Sequence, residues 1–510
     1  MLKSLISFLR NYGFKQTLMV VLDRIFPPRK VESKTLPELQ GEFPRFAVVD
    51  SLPDCVDPES AELVDTDGEW VLCGNAGDVR FCRGALLYIA EFLQKHPECG
   101  VLYFDSAIVE PDGKFSYELR PDFALEYLRS FDYCGKVIAV KSDFFRKYPE
   151  TSNTDLMLRA FENGFSIGHL PQVLYTHRGE PEYVDNRVCV AEHLKRCGIE
   201  VESITLNAGC RRIKYAIAGE PLVSILIPSH NNCAVLKRCV DSIIGKCSWR
   251  NFEIVIVENG STEVQLFDYY RDLSRDSRIK VVDYPVKEAF NYSRINNFGV
   301  EHCSGEYILF LNNDTEVITP GFLEEMLQFA QMPDVGVAGA KLAYWDGSLQ
   351  HGGIIIGMGS IAAHHSSGVS PDDAGYLNTL RCAREFSAVT FACAVVRKSD
   401  FLSLGGLDET LGIAYNDVDF CLRMRESGKR VIFTPYAELF HHESLSRGRE
   451  DTLVKQQRIA REAALFEARH QKILENGDPF YNPNLNLSGK SFSLRGRAGR
   501  LKLIQRKNRS

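Results

Sequence analysis

The stretch LVSILIPSHNN, residues 222–232, decides the fold. Its first residues form a short apolar run that is typical of a buried strand, and Pro228 ends the run before a polar turn. Three more apolar runs follow at strand length, with helical spacing between them. They are FEIVIVENGS at 252–261, IKVVDY at 279–284 and YILFL at 307–311. Alternating strands and helices predict a parallel sheet, which right-handed crossovers make open and doubly wound.

Polar clusters follow the first, second and fourth of these strands. Such sheets bind ligands beyond the carboxyl ends of their strands, so three clusters at successive ends favour a nucleotide site over simple turn chemistry. No GxGxxG or GxxxxGK[ST] motif occurs at the first turn, which counts against dinucleotide and P-loop enzymes. The candidate nucleotide-binding residues are Pro228, Ser229, Asn231, Glu258, Asn259, Ser261, Asn312 and Asn313, together with Asn296 and the expected helix N-cap Asn291.

Asp314 follows the fully apolar fourth strand and is the candidate ligand of a divalent cation that bridges a diphosphate. Mg²⁺ prefers a few carboxylates together with phosphate oxygens and water. The alternative is an ordinary turn aspartate.

Two further aspartates, Asp417 and Asp419, open an amphipathic helix within GGLDETLGIAYNDVDFCLRMRESG at 405–428. Residues two apart on a helix do not share a face, so at most one of them can point into a common site. A helix N-terminus holds a general base rigidly, and we favour Asp417 for that role. Asp419 then serves as a cap or as a carboxylate favoured by the helix dipole.

His441 and His442 end a strand within PYAELFHHESLSRG at 435–448. Neighbouring strand side chains point to opposite faces, so one histidine can enter the site as a metal ligand. A structural histidine is the equal alternative. Arg447 follows, and its planar fork suits a diphosphate.

The chain contains an internal repeat. Residues 69–104 match 306–338, and residues 155–178 match 419–443. The first copy has only about 25 residues before its first matching strand, against nearly 90 in the second. We therefore expect a degenerate first copy that has no counterpart of the second copy's first three strands. Its polar turn is at 75–78.

The composition fits a chain of globular domains. With 510 residues, 45% hydrophobic and 25% charged, two or more domains are expected. A net charge of −7 argues against a nucleic-acid binder. Fifteen cysteines without a CxxC pair indicate a reducing cytoplasm.

Both ends of the chain suit a membrane surface. Residues 1–30 are apolar at helical spacing with interspersed basic residues, and residues 490–509 contain basic but no acidic side chains. No segment approaches the roughly 18–20 apolar residues that span a bilayer. Contact with anionic lipid is one interpretation; a helix packed on the protein and a solvated tail are the other.

The segments LVSILIPSHNN, IVIVENGS, FLNNDTEV, NDVDFCLR and FHHESLSRG, in this order, resemble family 2 glycosyltransferases of the GT-A fold. More narrowly, AFNYSRINNFGVEHCSGEYILFLNNDTEV, LQHGGIIIGMGSIAAHH and FSAVTFACAVVRKSDF resemble bacterial O-antigen and rhamnan-type rhamnosyltransferases. The resemblance covers about 220–450. The first half resembles a degenerate glycosyltransferase-like region that is often fused upstream.

The resemblance implies a nucleotide-diphospho-sugar donor, a Mg²⁺ or Mn²⁺ ion and inversion at the anomeric carbon. Asp314 matches the last position of the family's DxD motif, where Asn312 replaces the first aspartate, and His441 matches a late metal ligand. Asp417 matches the base, with Asn416 replacing a glutamate. Glu258 replaces the aspartate that contacts the nucleoside. The residues expected to line the sugar or acceptor pocket are Gln350, His351 and Gly352.

The expected architecture is an α/β chain with four parts. A helix at 1–30 precedes a degenerate GT-A-like domain at 45–215, a GT-A catalytic domain at 220–450, and a helix with a basic tail at 451–510. By resemblance, the expected reaction moves L-rhamnose from a dTDP donor, with UDP-linked sugars as alternatives, to a lipid-linked or cell-surface glycan. The expected location is the inner face of the cytoplasmic membrane. A two-site polymerase and a non-catalytic nucleotide-sugar scaffold remain as alternatives.

Overall fold

The computed structural model describes residues 46–49, 69–74, 79–82, 84–149, 151–178, 185–286, 290–442, 453–488 and 492–495. The predicted N-terminal helix, the turn at 75–78, Arg447 and nearly all of the basic tail lie outside these residues. The chain divides into two compact units between Ile213 and Lys214. Residues 479–486 belong to the first unit, whereas 214–478 and 487–492 belong to the second. The sequence did not predict that a late segment belongs to the first unit.

The first unit contains nine strands and five helices among the described residues. In chain order they are β1 (Phe46–Val49), β2 (Trp70–Gly74), β3 (Arg80–Phe81), α1 (Ala85–Lys95), β4 (Cys99–Val109), β5 (Phe115–Glu118), α2 (Leu125–Ser130), β6 (Val137–Lys141), α3 (Ser142–Phe145), α4 (Asn153–Glu162), β7 (Ser166–Arg178), α5 (Arg187–Arg196), β8 (Val201–Asn207) and β9 (Cys210–Tyr215), whose last two residues lie past the boundary.

The second unit begins with the strands that the sequence predicted. In chain order its elements are β10 (Val223–Ser229), α6 (Cys233–Lys246), β11 (Phe252–Glu258), α7 (Val264–Leu273), β12 (Ile279–Asp283), α8 (Tyr292–Glu301), β13 (Tyr307–Leu311), β14 (Thr315–Val317), α9 (Phe322–Ala330), β15 (Val335–Ala343), β16 (Leu349–His351), β17 (Ile354–Ile356), β18 (Ala362–His364), β19 (Arg384–Glu385), β20 (Cys393–Arg397), α10 (Lys398–Ser403), α11 (Asn416–Glu426), β21 (Arg430–His441), α12 (Leu453–Arg469) and α13 (Gln471–Asn476); a short 3₁₀ helix covers Tyr376–Asn378.

The main sheet of the second unit has the order β12-β11-β10-β13-β20-β15-β21-β14. Its first four strands are parallel, and β20 runs antiparallel between β13 and β15. Strands β10 and β13 are buried along their whole length, as continuous apolar runs require in a sheet covered on both faces. The predicted open α/β sheet and its four leading strands are confirmed.

The sheet of the first unit has the order β1-β2-β6-β4-β7-β3. It repeats the path β10-β13-β20-β15-β21-β14 strand for strand, with β6 antiparallel in the place of β20. β1 pairs with β2 in parallel, as β10 pairs with β13. The expectation that the first copy lacks all three leading strands is therefore wrong. The run at 46–49 lies outside the matched segments, so the repeat gives no signal for this strand. Counterparts of β11 and β12 are absent from the described residues.

Local sequence signals explain several element boundaries. The Asn291 side chain accepts a hydrogen bond from the Arg294 amide, so it caps α8 as predicted. Asn231 and Asn232 turn the chain between β10 and α6 with φ of 50° and 61°, a conformation that asparagine tolerates. Within the described residues, no helix combines the length and the apolar character that a membrane crossing needs.

Candidate active site

The candidate residues converge on one edge of the second sheet. The parallel strands β10, β11 and β13 end there with Ser229, Glu258 and the turn at 312–314. β20 is antiparallel, so the segment that enters it arrives at the same edge: the Asn312 amide donates to the Ala392 carbonyl at 3.0 Å. β21 is parallel to β15 and brings His441 to that edge. The topology therefore places Asp314, His441 and the 390–392 segment together.

His441 and Asp314 form the centre of a candidate cation site. The Nε2 atom of His441 lies 3.2 Å from Oδ1 of Asp314, and both side chains are largely buried. The Nδ1 atom of His441 lies 2.7 Å from Oε1 of Gln350, whose Nε2 donates to the His441 carbonyl at 3.2 Å. That second bond fixes the amide orientation, so Nδ1 is the protonated nitrogen and the Nε2 lone pair faces Asp314.

The donor set fits a divalent cation. The imidazole Nε2 of His441 and a carboxylate oxygen of Asp314 lie 3.2 Å apart, and no proton lies between them in this tautomer. The Asn312 side chain reaches the same Nε2 at 3.2 Å. Two protein ligands leave coordination positions for diphosphate oxygens and water, which suits Mg²⁺ or Mn²⁺.

Asp417 lies at the same edge, at the start of α11. Its Oδ2 accepts a hydrogen bond from the Phe391 amide at 3.2 Å, and its Oδ1 accepts one from the Val418 amide at 2.9 Å. Phe391 precedes Ala392, the residue that is bonded to the turn of Asp314. Burial raises the pKa of Asp417 above its usual range, although these amides and Thr390 oppose the shift. Such a carboxylate is suited to accept a proton.

Asp419, the second candidate base, lies in a different environment. It is fully buried. Its carboxylate accepts hydrogen bonds from Arg423 at 2.8 Å and from Arg469 at 2.6 Å, and it lies 2.9 Å from Nε2 of His470. Burial alone would raise its pKa, but these partners bring it to about 2. Both of its oxygens are engaged in ion pairs that anchor α11, which favours the prediction of Asp417 as the base. The predicted separation of the two carboxylates onto different faces is confirmed.

Helix α12 holds the loop that leads into α11. Glu462 accepts hydrogen bonds from the amides of Ala414 at 2.6 Å and Ile413 at 3.3 Å. The ring of Phe466 packs 5.3 Å from that of Tyr415, which adopts a left-handed φ of 63° directly before Asn416. A non-glycine residue in this conformation costs roughly 1 kcal/mol or more. The contacts of α12 therefore fix a strained loop that presents Asp417.

The predicted nucleoside contact Glu258 is buried and bonded within the protein. Its Oε2 accepts hydrogen bonds from Tyr270 at 2.6 Å and from the Ser261 hydroxyl at 2.9 Å, and its Oε1 accepts from the Ser261 amide. The Ser229 hydroxyl lies 3.0 Å from the Tyr270 hydroxyl oxygen and donates to it, because the tyrosine proton is already given to Glu258. The Asn231 side chain accepts from the amides of Thr262 and Glu263 at 2.8 and 3.1 Å. These side chains form one network beneath the strand ends, and direct nucleotide contact by them stays a prediction.

The remaining predicted residues are placed as follows. Asn291 caps α8 and donates to the Glu409 carbonyl at 2.9 Å, so its amide is used within the protein. Asn296 is fully buried on α8, and its Oδ1 has no hydrogen-bond partner among the described residues. Asn313 is buried in the turn beside Asp314. Pro228 lies within β10, and the Asn259 amide donates to the Ser229 carbonyl at 2.9 Å.

The predicted pocket residues lie on and after β16. Gln350 orients His441, as described above, rather than pointing into open space. His351 is fully buried, with its Nδ1 2.6 Å from Nδ1 of His364 and its Nε2 3.5 Å from the Thr390 amide. A Cβ at Gly352 would lie 2.6 Å from a terminal methyl of Leu380, so a larger residue would have to displace that side chain. Gln350 and His351 therefore contact His441 and the Thr390 amide, and the sequence did not reveal these contacts.

A three-residue cluster in the first unit is also a candidate metal site by proximity. Ligand atoms of Glu162, His193 and Cys197 lie within 4.8 Å of one another. Arg129 donates to Nε2 of His193 at 3.2 Å, so in the neutral ring Nδ1 carries the proton that faces Glu162. The lone pair that a metal would need is therefore not available, and the cluster is an ion-pair network.

Part of the sequence matches a known protein family. Residues 224–404 match the family model described as glycosyl transferase family 2. The uncharacterized protein y4gI of Sinorhizobium fredii is 35% identical over 440 residues, which cover 80% of this chain and 48% of that protein. The O-antigen biosynthesis protein RfbC of Myxococcus xanthus is 32% identical over 434 residues, covering 81% of this chain and 33% of that protein.

The chain thus spans about half and a third of the lengths of these two relatives. Among solved structures, the mannosyltransferase PcManGT from Pyrobaculum calidifontis, in complex with GDP-Man and Mn²⁺, superposes with a TM-score of 0.38 and 16% identity, over 57% of this chain and 74% of that one.

Proposed function

Residues 224–404 form a glycosyl transferase family 2 domain, and from that premise we propose that the chain is an inverting, metal-dependent sugar transferase of the GT-A fold. The observation that carries the proposal is the shared sheet edge. It brings the Asp314–His441 pair and the Asp417 carboxylate together, joined through the Asn312–Ala392 hydrogen bond. A cation site for a diphosphate and a base for an acceptor hydroxyl are the two groups that single displacement requires.

Asp314 and His441 would hold Mg²⁺ or Mn²⁺, with Gln350 keeping the imidazole in the ligating tautomer. When bound, the cation neutralises charge on the leaving diphosphate, as metal ions do in such sites. Asp417 takes the proton of the acceptor hydroxyl while that oxygen forms the new bond to the anomeric carbon. Its partly desolvated carboxylate is a stronger base than an exposed one, and the Phe391 amide fixes its direction.

The donor we propose is a nucleotide-diphospho-sugar, with dTDP-L-rhamnose first and UDP-linked sugars next. This choice rests on the resemblance of the 289–317 and 349–365 segments to rhamnosyltransferases. The acceptor we propose is a growing bacterial surface glycan on a lipid carrier. Peripheral attachment to the inner face of the cytoplasmic membrane would bring the enzyme to such an acceptor.

A panel of nucleotide sugars tests the proposal. Purified full-length chain with Mn²⁺ should release nucleoside diphosphate from dTDP-L-rhamnose faster than from UDP-galactose, UDP-galactofuranose or UDP-N-acetylglucosamine. Asp314→Ala should abolish metal-dependent dTDP binding in calorimetry with and without EDTA. Nucleotide binding without cleavage of any donor would favour a scaffold instead. Faster release from a UDP-sugar would correct the donor while retaining the mechanism.

A further inference from the structure

One short segment connects the candidate base with the candidate cation site. The Phe391 amide donates to Oδ2 of Asp417 at 3.2 Å, and the carbonyl of the next residue, Ala392, accepts from the Asn312 amide at 3.0 Å. Residues 390–392 therefore determine where the base lies relative to the turn that carries the cation site. A contact that fixes this segment also fixes the geometry of the reaction.

Tyr292 makes such a contact from the first turn of α8. Its hydroxyl donates to the Phe391 carbonyl at 3.0 Å, and its side chain is buried. Phe391 thus accepts from Tyr292 at its carbonyl and donates to Asp417 from its amide. Buried tyrosine hydroxyls usually find a partner, so this bond alone would also fit a packing role. The other contacts of α8 distinguish the two.

The first turn of α8 also holds the loop that leads into α11. The Tyr292 amide donates to the Gly412 carbonyl at 2.7 Å, and the hydroxyl of the fully buried Ser293 donates to the Leu411 carbonyl at 2.7 Å. A Cβ at Gly412 would lie 3.0 Å from the side-chain nitrogen of the residue that caps α8, so the loop runs close against the helix. Asp417 follows only a few residues later.

Asp417 therefore lies where two segments meet, and the first turn of α8 binds both of them. A general base works only within hydrogen-bond reach of the acceptor hydroxyl, and a misplacement of about 1 Å costs up to about 10²-fold in rate. We propose that Tyr292 is a positioning residue that holds Asp417 in the direction that proton removal requires, by binding Phe391 and Gly412. Ser293 adds a second support. This role rests on the proposed transferase function and involves no contact of Tyr292 with donor, acceptor or metal.

Tyr292→Phe tests the role, because it removes one hydroxyl and keeps the ring. With the donor that the wild-type chain cleaves fastest in the panel above, kcat should fall roughly tenfold, whereas the KM for the donor should change by less than about twofold. Binding of dTDP with Mn²⁺, measured by calorimetry, should be unchanged. Ser293→Ala removes the second support and should lower kcat by a smaller factor, roughly threefold.

The pH profile of kcat is a readout that a loss of packing alone would not change. The Phe391 amide opposes the rise in the pKa of Asp417 that burial causes. Loosening the segment in Tyr292→Phe weakens this amide bond, so the pKa of Asp417 rises further. The acidic limb of the profile should therefore move to higher pH in this variant.

Tyr269→Phe is the matched control. Tyr269 is a buried tyrosine of the same unit, and its hydroxyl donates to Asp241 at 3.3 Å, which joins α7 to α6. The denaturation midpoint should fall by a similar amount in Tyr269→Phe and Tyr292→Phe. Only Tyr292→Phe should change kcat and its pH profile.

Three outcomes separate the positioning role from the transferase function. Wild-type kcat in Tyr292→Phe, or an equal fall in Tyr269→Phe, would overturn the positioning role while the transferase function stands. A loss of dTDP affinity as large as the loss of kcat would also overturn it, because α8 would then act on nucleotide binding. A wild-type chain that binds nucleotide but cleaves no donor of the panel would contradict the transferase function and the positioning role with it.

Discussion

The two units have the same strand path but differ at the positions where chemistry would occur. The segment of α4 and β7 in the first unit aligns without a gap with that of α11 and β21 in the second unit. Asp155 accepts hydrogen bonds from Arg159 at 2.7 Å and from Arg196 at 3.2 Å. The aligned residue Asp419 accepts hydrogen bonds from Arg423 at 2.8 Å and from Arg469 at 2.6 Å. The ion pairs that anchor the helix are present in both copies, which identifies them as structural.

The residue two positions earlier differs between the copies. Asn153 matches Asp417, and it donates to the Lys136 carbonyl at 3.0 Å, in the segment that enters β6. Asp417 contacts the equivalent segment before β20. The fold is therefore the same at both positions, but an amide cannot accept the proton of an acceptor hydroxyl. The first unit therefore retains the anchored helix but has an asparagine at the position of the proposed base.

The histidines differ in a similar way. His177 matches His441, but its Nε2 lies 2.9 Å from Glu118, which also pairs with Arg120 at 2.9 Å. Burial would raise the pKa of Glu118, but Arg120 and His177 hold it well below its usual range. His177 is thus bound into an ion-pair network, whereas His441 faces a carboxylate with a lone pair. The comparison teaches that a fold persists through its anchoring ion pairs while its reactive groups are replaced.

The largest expected effect comes from giving the second unit the residue of the first. Asp417→Asn should lower turnover by about 10³-fold, because it removes the base without changing the shape of the site. Binding of dTDP with Mn²⁺ should be retained. Asn153→Ala is the control and should leave turnover unchanged. Undiminished sugar transfer by Asp417→Asn would remove Asp417 from this role, and loss of transfer of one of two sugars would favour the two-site polymerase.

A smaller effect is expected from the residue that orients the metal-ligand histidine. Gln350→Ala leaves Nδ1 of His441 without its acceptor, so the ligating tautomer is no longer held. Affinity for Mn²⁺, measured by calorimetry with dTDP present, should fall by about 10–100-fold. His177→Ala in the first unit should not change it. Equal Mn²⁺ affinity in wild type and Gln350→Ala would mean that His441 is not a ligand.

Removing the arginine that anchors the helix should have different effects in the two units. Arg469→Ala should destabilise the fold by about 2 kcal/mol, less than for a fully buried pair because the arginine is 40% exposed. It should also lower kcat roughly tenfold, with the donor KM unchanged, since α11 loses part of its support. Arg469→Lys should restore part of kcat.

The matching change Arg196→Ala should destabilise the chain with kcat unchanged, and the exposed Arg461→Ala on α12 should do neither. Denaturant unfolding and steady-state kinetics on the same variants measure both effects. A fall in kcat for Arg196→Ala equal to that for Arg469→Ala would show that the first unit takes part in turnover.

The smallest expected effect is on the pH dependence of activity and stability. The pKa values of Asp417 and Asp419 are shifted in opposite directions. The raised pKa of Asp417 moves the acidic limb of the kcat profile to a higher pH than for an exposed aspartate, and it means that the ionised side chain destabilises the fold. Asp417→Asn should therefore raise the free energy of unfolding at neutral pH. Asp419, with a pKa of about 2, contributes stability above about pH 4 that is lost as pH falls toward 2. Unfolding curves between pH 7 and 3 check both signs.

The sequence was sufficient for the second sheet because its signals are local. The apolar runs at 223–229, 252–258, 279–283 and 307–311 appear where the strands are, and the N-cap Asn291 was evident from its position. The sheet edge that carries Glu258 and Asp314 followed from the predicted parallel strands, whereas the arrival of His441 and Asp417 at that edge depends on the positions of β20 and β21. The strand β1, in contrast, is four residues long and isolated by sequence, so periodicity gave no signal for it.

Other features depended on distant partners that one sequence does not pair. Glu462 and Arg469 contact residues some fifty positions earlier, and nothing in α12 indicated those contacts. Gln350 was expected in a sugar pocket, but its position beside His441 became visible only with β16 placed against β15.

The number of nucleotide sites per chain tests the central claim, that the second unit alone holds a working site. Calorimetric titration of the full-length chain with dTDP and with UDP in the presence of Mn²⁺ should show one site per chain. That site should be lost in Asp314→Ala and retained in His177→Ala. Two sites per chain, or binding that survives Asp314→Ala, would contradict the account.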